Sequence, residues 1–211
     1  MKLKKSVKRK LLIFFILLVA GAGVFCYFKF FRQTNVARKV KIVDKIDKYG
    51  YQLKDTKNDA YKEEFKNLKK ILNADEVNYE EYAKSISKLF IIDFYSLDDK
   101  LAKTDVGGVD FVYNEEQVDF LEKAENTYYK YVESNVYGNR QQSLPIVDSV
   151  TINSVETTQY KVNSNGKEDN EAYKVSVTWN YKNDSGNGYQ NKATLIVVHE
   201  DDVKLSIVEL D

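Results

Sequence analysis

EAYKVSVTW, residues 171–179, sets Tyr173, Val175, Val177 and Trp179 on one face with polar residues between them, the period of two of a half-buried β-strand. The same period runs through Val150 and Ile152, through Ala193, Leu195 and Val197, and through Val203, Leu205 and Ile207, and it begins only after Pro145. Turn-forming residues separate these runs at Asn163 to Asn170, at Asn183 to Gly188 (NDSGNG) and at Glu200 to Asp202. Connections this short predict an antiparallel sheet. The run from Leu195 to Val198 is apolar on both faces, which predicts a central strand covered on each side.

Before Pro145 the period is 3.6. Tyr61, Phe65, Leu68, Ile71 and Leu72 recur at helical spacing beside a charged face and predict an amphipathic helix over 61–72. A second helix is predicted over 78–97, with Tyr82, Ile86, Leu89 and Phe90 on one stripe; its apolar run 89–92 marks it as the central helix. KTDVGGVDFVY, residues 103–113, interrupts the pattern with adjacent glycines that permit positive φ and a sharp reversal. Asn114 then reads as an N-cap, followed by the stripe Val118, Leu121, Ala124, Tyr128 and Tyr131 or Val132 to about Ser134. Helices followed by a meander define an α+β domain, about three helices packed on a curved antiparallel sheet.

The N-terminal region carries a different signal. LLIFFILLVAGAGVFCYF, residues 11–28, is uncharged and follows Lys2, Lys4, Lys5, Lys8, Arg9 and Lys10. About twenty apolar residues at 1.5 Å each match a hydrocarbon core of roughly 30 Å. Residues 1–10 are therefore expected as a basic cytoplasmic tail and 11–31 as an N-terminal transmembrane helix, a single-pass signal anchor in the cell membrane. The charge bias places the rest of the chain outside. Ala20, Gly21 and Ala22 also form a small-x-small site that a signal peptidase could use, but the apolar run continues through Phe31, which favours an uncleaved anchor. Residues 32–55 read as a juxtamembrane connector with a short strand at 49–53, and residues 56–211 as the extracellular domain. The only cysteine, Cys26, falls in the span, so the domain has no internal disulfide.

Eleven of the 32 basic residues and none of the 32 acidic ones precede Ile42, so the remainder carries 21 basic against 32 acidic residues. A field of that sign repels phosphate backbones and excludes nucleic acid as a partner. No cofactor is expected, because no phosphate loop, dinucleotide fingerprint or nucleophile elbow is present. His199, the sole histidine, has no second imidazole or thiol with which to build a zinc site and reads as a solvated strand end. The Asn163–Gly166 turn fails as a calcium loop, since Lys161 and Ala172 would fall on ligand positions. Asp93, Asp98, Asp99, Asp105 and Asp110 read as a solvated acidic region. Sixteen tyrosines and eleven phenylalanines suit either a tyrosine-rich core or an interface; of Tyr128, Tyr129 and Tyr131 at least one must be exposed or touch a partner.

A short tail, one span, helices and then a curved sheet resemble the bitopic scaffold protein of type IV secretion and conjugation systems, which implies a nuclear-transport-factor-two-like cone. YGYQLKDTKNDAYKEEFKNLKKIL and KLFIIDFYSLDDKLAKTDVGGVDFVY are also similar to uncharacterised single-span envelope proteins of Gram-positive bacteria. Two expectations follow. The first is a non-enzymatic, membrane-anchored domain that binds other envelope or membrane proteins, or itself. The second is a pocket inside the cone for a small molecule or carboxylate chemistry, with Asp93, Tyr95, Trp179 and Tyr181 as its lining. A cone filled by Phe90, Trp179 and Leu195 would leave no room for it.

Overall fold

The computed structural model describes residues 39–182 and 188–211. The tail, the anchor expected at 11–31 and most of the expected turn at 183–188 lie outside the described residues. Among those described, no helix is long and apolar enough to cross a membrane. The described chain is α+β, with three α-helices and two antiparallel sheets.

Two asparagines start the first two helices. Asn58 accepts from the Tyr61 N–H at 2.9 Å and opens α1, Asp59–Leu72; Asn78 accepts from the Glu81 N–H at 3.1 Å and opens α2, Tyr79–Tyr95. The Asn58 amide also donates to Ser96 Oγ at 3.2 Å, which ties the start of α1 to the end of α2. Helix α1 buries a single stripe, Tyr61, Phe65, Leu68 and Leu72, whereas α2 is buried on nearly every side from Tyr82 onward. That is the central helix expected from its apolar run.

Four strands, β3 (Val147–Lys161), β4 (Glu168–Tyr181), β5 (Lys192–His199) and β6 (Leu205–Leu210), pair antiparallel in chain order, and α2 packs across all four. Leu195 on β5 lies between Val175 and Leu210, with both of its faces covered as its sequence demands. Trp179 faces Val150 in register and is buried, together with Phe90 and Leu195. The space inside the sheet is thus filled with side chains. Strand β3 shifts register against β4 three times, between Val147 and Ser149, Ile152 and Ser154, and Thr158 and Tyr160.

Three elements depart from the expectations. Residues 42–54, expected as a connector with one short strand at 49–53, form a hairpin in which that strand is β2 (Tyr51–Lys54) and pairs with β1 (Ile42–Ile46), turned through Gly50 at φ 74°. Ile46, Tyr49, Tyr51 and Leu53 enter the common core, and the Tyr51 hydroxyl meets that of Tyr82 on α2 at 2.7 Å. Second, Asn114 caps nothing: it heads a short 3-10 turn and gives its N–H to Glu200 Oε1 at 3.2 Å. Third, the helix expected to reach Ser134 is α3, Gln117–Asn126, and stops early. The Asn126 amide and the Thr127 hydroxyl donate back to the carbonyls of Glu122 and Lys123, competing with helix continuation. The chain then turns inward, so that Tyr129 is fully buried and Tyr131 is 76% exposed.

Candidate functional site

The region C-terminal to α2 is built around charges that the sequence alone placed in solvent. Asp93 is buried, with Oδ1 bound by Lys100 Nζ at 2.8 Å and by Lys57 Nζ, and Oδ2 accepting the Gly108 N–H at 2.9 Å. Lys100, 2% exposed, also meets Asp99 Oδ1 at 2.6 Å. Two cations and two anions make this quartet neutral, and every carboxylate oxygen of Asp93 is used. Burial pushes the Asp93 carboxyl up, but Lys100 and Lys57 outweigh it and hold it below the usual carboxylate range. Burial likewise opposes the Lys100 charge, and Asp93 and Asp99 outweigh that, holding the ammonium above its ordinary value. For Asp99 burial wins and raises it. Asp98 is half-exposed and takes Arg140 at 3.4 Å, and Asp110 is exposed, as expected.

The quartet anchors the glycine turn. A Cβ on Gly107 would collide with the Asp93 backbone, and one on Gly108, at φ 79°, would lie 2.7 Å from the Phe90 ring. The Gly107 N–H donates to the Tyr129 hydroxyl at 3.1 Å, which in turn donates to the Phe94 carbonyl at 2.6 Å. The turn therefore lies flat on α2, and the chain leaving it runs through Phe111 and Val112 to the edge of β6, then into α3.

Between α3 and that edge lies a groove of about 580 Å³, a volume in the range of ligand-binding clefts. Phe90, Phe94 and Phe120 form its floor, with ring centroids 5.4 to 5.9 Å apart; Phe90 and Phe94 are buried, and Phe120 is the ring that stays partly exposed. Ile207 to Leu210 form one wall, Ala124 and Thr127 the other, and Asn163 and Ser164 close an end. Glu116, Asp119 and Glu209 line it against one cation, Lys123. Asp211 and Thr194 exchange two backbone bonds of 2.9 and 3.0 Å, so the preceding residue, Leu210, which lines the groove, turns its N–H and C=O away from β5. Val112 bridges Ile207 in parallel and Tyr113 donates to the Ile207 carbonyl at 2.9 Å; among the described residues nothing pairs with the edge beyond that point.

The residues expected to line an interior pocket fall in two places. Tyr95 and Trp179 pack ring to ring at 4.5 Å, and Tyr181 lies 6.5 Å from Trp179, so these three share one aromatic cluster with Tyr128. Asp93 sits two positions before Tyr95 on the same helix, about 200° around it, and faces the lysines instead. His199 is not a solvated strand end: its Nδ1 lies 3.0 Å from Asp169 Oδ2, and its ring packs 5.3 Å from Tyr79. Among the described residues no acidic, histidine or cysteine group is arranged to hold a metal ion.

The groove was not foreseen. Val118, expected in the buried stripe of α3, is 73% exposed, and Phe120 and Ala124 of the same helix face the core and the groove. The spacing of Phe120, Ala124 and Thr127 was the available signal. No family model, characterised protein or solved structure matches this chain.

Proposed function

We propose that this chain is a non-enzymatic, membrane-anchored protein-interaction domain of the bacterial envelope, held outside the cell by residues 11–31 and docking other proteins through the groove beside β6. On this reading the helix-then-sheet order, with α2 across four strands, is a cone of the nuclear-transport-factor-two type, and the role is that of the scaffold in secretion and conjugation machines. One observation carries the interaction reading: an aromatic floor lies beside an uncovered strand edge, which offers both apolar contact and backbone hydrogen bonds to an extended chain. The filled interior, with Phe90, Trp179 and Leu195 all buried, supports placing recognition at the edge instead of inside the cone.

The test is photo-crosslinking in intact cells with benzoyl-phenylalanine replacing Phe120, and in a control replacing exposed Tyr137. A discrete protein adduct at 120 and not at 137 supports the reading. Equal labelling at both positions, or none at 120, overturns it.

A further inference from the structure

The groove has a counterpart on the same molecule. Lys39-Val40-Lys41-Ile42 alternates cation and apolar residue, with Val43 following it in β1, and Val40, Ile42 and Val43 are 42, 55 and 57% exposed. Large apolar side chains seldom stand together in solvent without a partner. Among the described residues strand β1 pairs with β2 alone, which leaves its outer edge open there. The Asp55 N–H donates to the Lys41 carbonyl at 2.9 Å, and Ile42, the next residue, therefore points its own N–H and C=O away from β2. This is the arrangement at Leu210, repeated at the opposite end of the domain's sequence.

The two edges match in chemistry. One is basic and apolar; the other is an aromatic groove with Glu116, Asp119 and Glu209 against Lys123. Docking would place Val40, Ile42 or Val43 on the phenylalanine floor and Lys39 and Lys41 against the acidic rim, while backbone groups at Ile42 and Leu210 close new strand bonds. Both edges belong to one chain, and a contact between different patches is heterologous, so it propagates from copy to copy.

Resting on the interaction reading above, we propose that the groove's occupant is the Lys39–Val43 segment, the lead-in and start of β1, of a second copy of this chain. Anchoring in one membrane holds the copies in a plane, and the donor segment from Lys39 begins eight residues beyond the expected span at 11–31, which raises their effective concentration for lateral contact.

Two differently tagged, full-length variants test this in a Cys26→Ala background: Val43→Cys and Val208→Cys, each alone and co-expressed, then treated in membranes with a short bismaleimide. The expected result is a mixed-tag dimer in the co-expressed sample and none with either variant alone. Lys41→Glu on the donor abolishes that dimer, and Glu209→Lys on the acceptor restores it. Leu210→Cys replaces Val208→Cys if burial of the Trp179 ring, read by its fluorescence, is lost. No mixed dimer from either acceptor, or dimers of equal yield in single-variant samples, overturns the proposal. An adduct at Phe120 with a different protein and no 43-to-208 crosslink refutes self-association while leaving the docking role intact; failure of both experiments removes both.

Discussion

Replacing Lys100 with Met removes the cation at the centre of the buried quartet while keeping most of its volume. Two charge-assisted hydrogen bonds, at 2.8 Å to Asp93 and 2.6 Å to Asp99, disappear from a side chain that is 3% exposed. Breaking one partner of a buried ion pair costs about 3 to 5 kcal/mol, because the remaining charge is left uncompensated. Asp93 retains Lys57 and the Gly108 N–H, which places this variant near the lower end, about 3 kcal/mol. With a urea slope of about 2 kcal/mol per molar for a domain of this size, the midpoint falls by about 1.5 M. The single tryptophan, Trp179, is buried and reports the transition, so urea melts of the full-length chain in detergent can be followed by its fluorescence. Adding Asp99→Asn removes the carboxylate that has lost its partner and should recover about 1 kcal/mol, a coupling that independent sites do not show. A Lys100→Met midpoint within about 0.3 M of the parent, or a double variant no more stable than the single one, would refute the account of the quartet as a mutually compensated unit.

Trp179→Ala should cost about 3 to 5 kcal/mol in a denaturant melt followed by far-ultraviolet circular dichroism, since it empties the core between Tyr95 and Tyr181; a neutral result would move the ring to the surface. Tyr51→Ala should cost a similar 3 to 5 kcal/mol, whereas a change below about 0.5 kcal/mol would make the hairpin a dispensable connector. Stability should plateau between about pH 4 and pH 10. Asp93 is depressed in the folded state, so its contribution is full above the unfolded carboxylate pKa and fades as pH falls. Lys100 is raised, so its contribution is full below the unfolded lysine pKa and fades in strong base; Asp99, raised by burial, opposes Asp93 and blunts the acid limb. Midpoints that climb steadily from pH 5 to pH 9 would contradict these directions.

Periodicity made the regular elements legible. Leu195 to Val198, apolar on both faces, had to be an inner strand, and the crowded run around Leu89 to Ile92 had to be the central helix. What spacing could not show is where local polar groups override it. Asn126 and Thr127 end α3 eight residues early by bonding back onto their own helix, and on that helix Phe120 lines the groove while Val118 stands in solvent. The carboxylates were misjudged for a related reason: acidity per residue says nothing about long-range partners, and Asp93 is buried only because Lys57 and Lys100 converge from 36 positions before it and 7 after it. Of the hairpin, the alternation of Tyr49, Tyr51 and Leu53 shows β2, but nothing in it shows that β1 would pair with that strand or that Tyr51 would find Tyr82. The candidate site is a tertiary feature, assembled from α2, α3 and β6, and only its individual side chains could be read in advance.

The three register shifts along β3 bear on how this domain stays in solution. Among the described residues nothing pairs with the outer side of the fifteen-residue β3, and a long row of unpaired amide groups is the kind of template on which chains accrete into fibrils. Each shift breaks the row and deepens the local twist, so no neighbouring strand can follow it in register for more than a few residues. The long border is thereby made unsuitable for templated growth, while the short one beside β6 is left open within a groove whose shape decides what it admits.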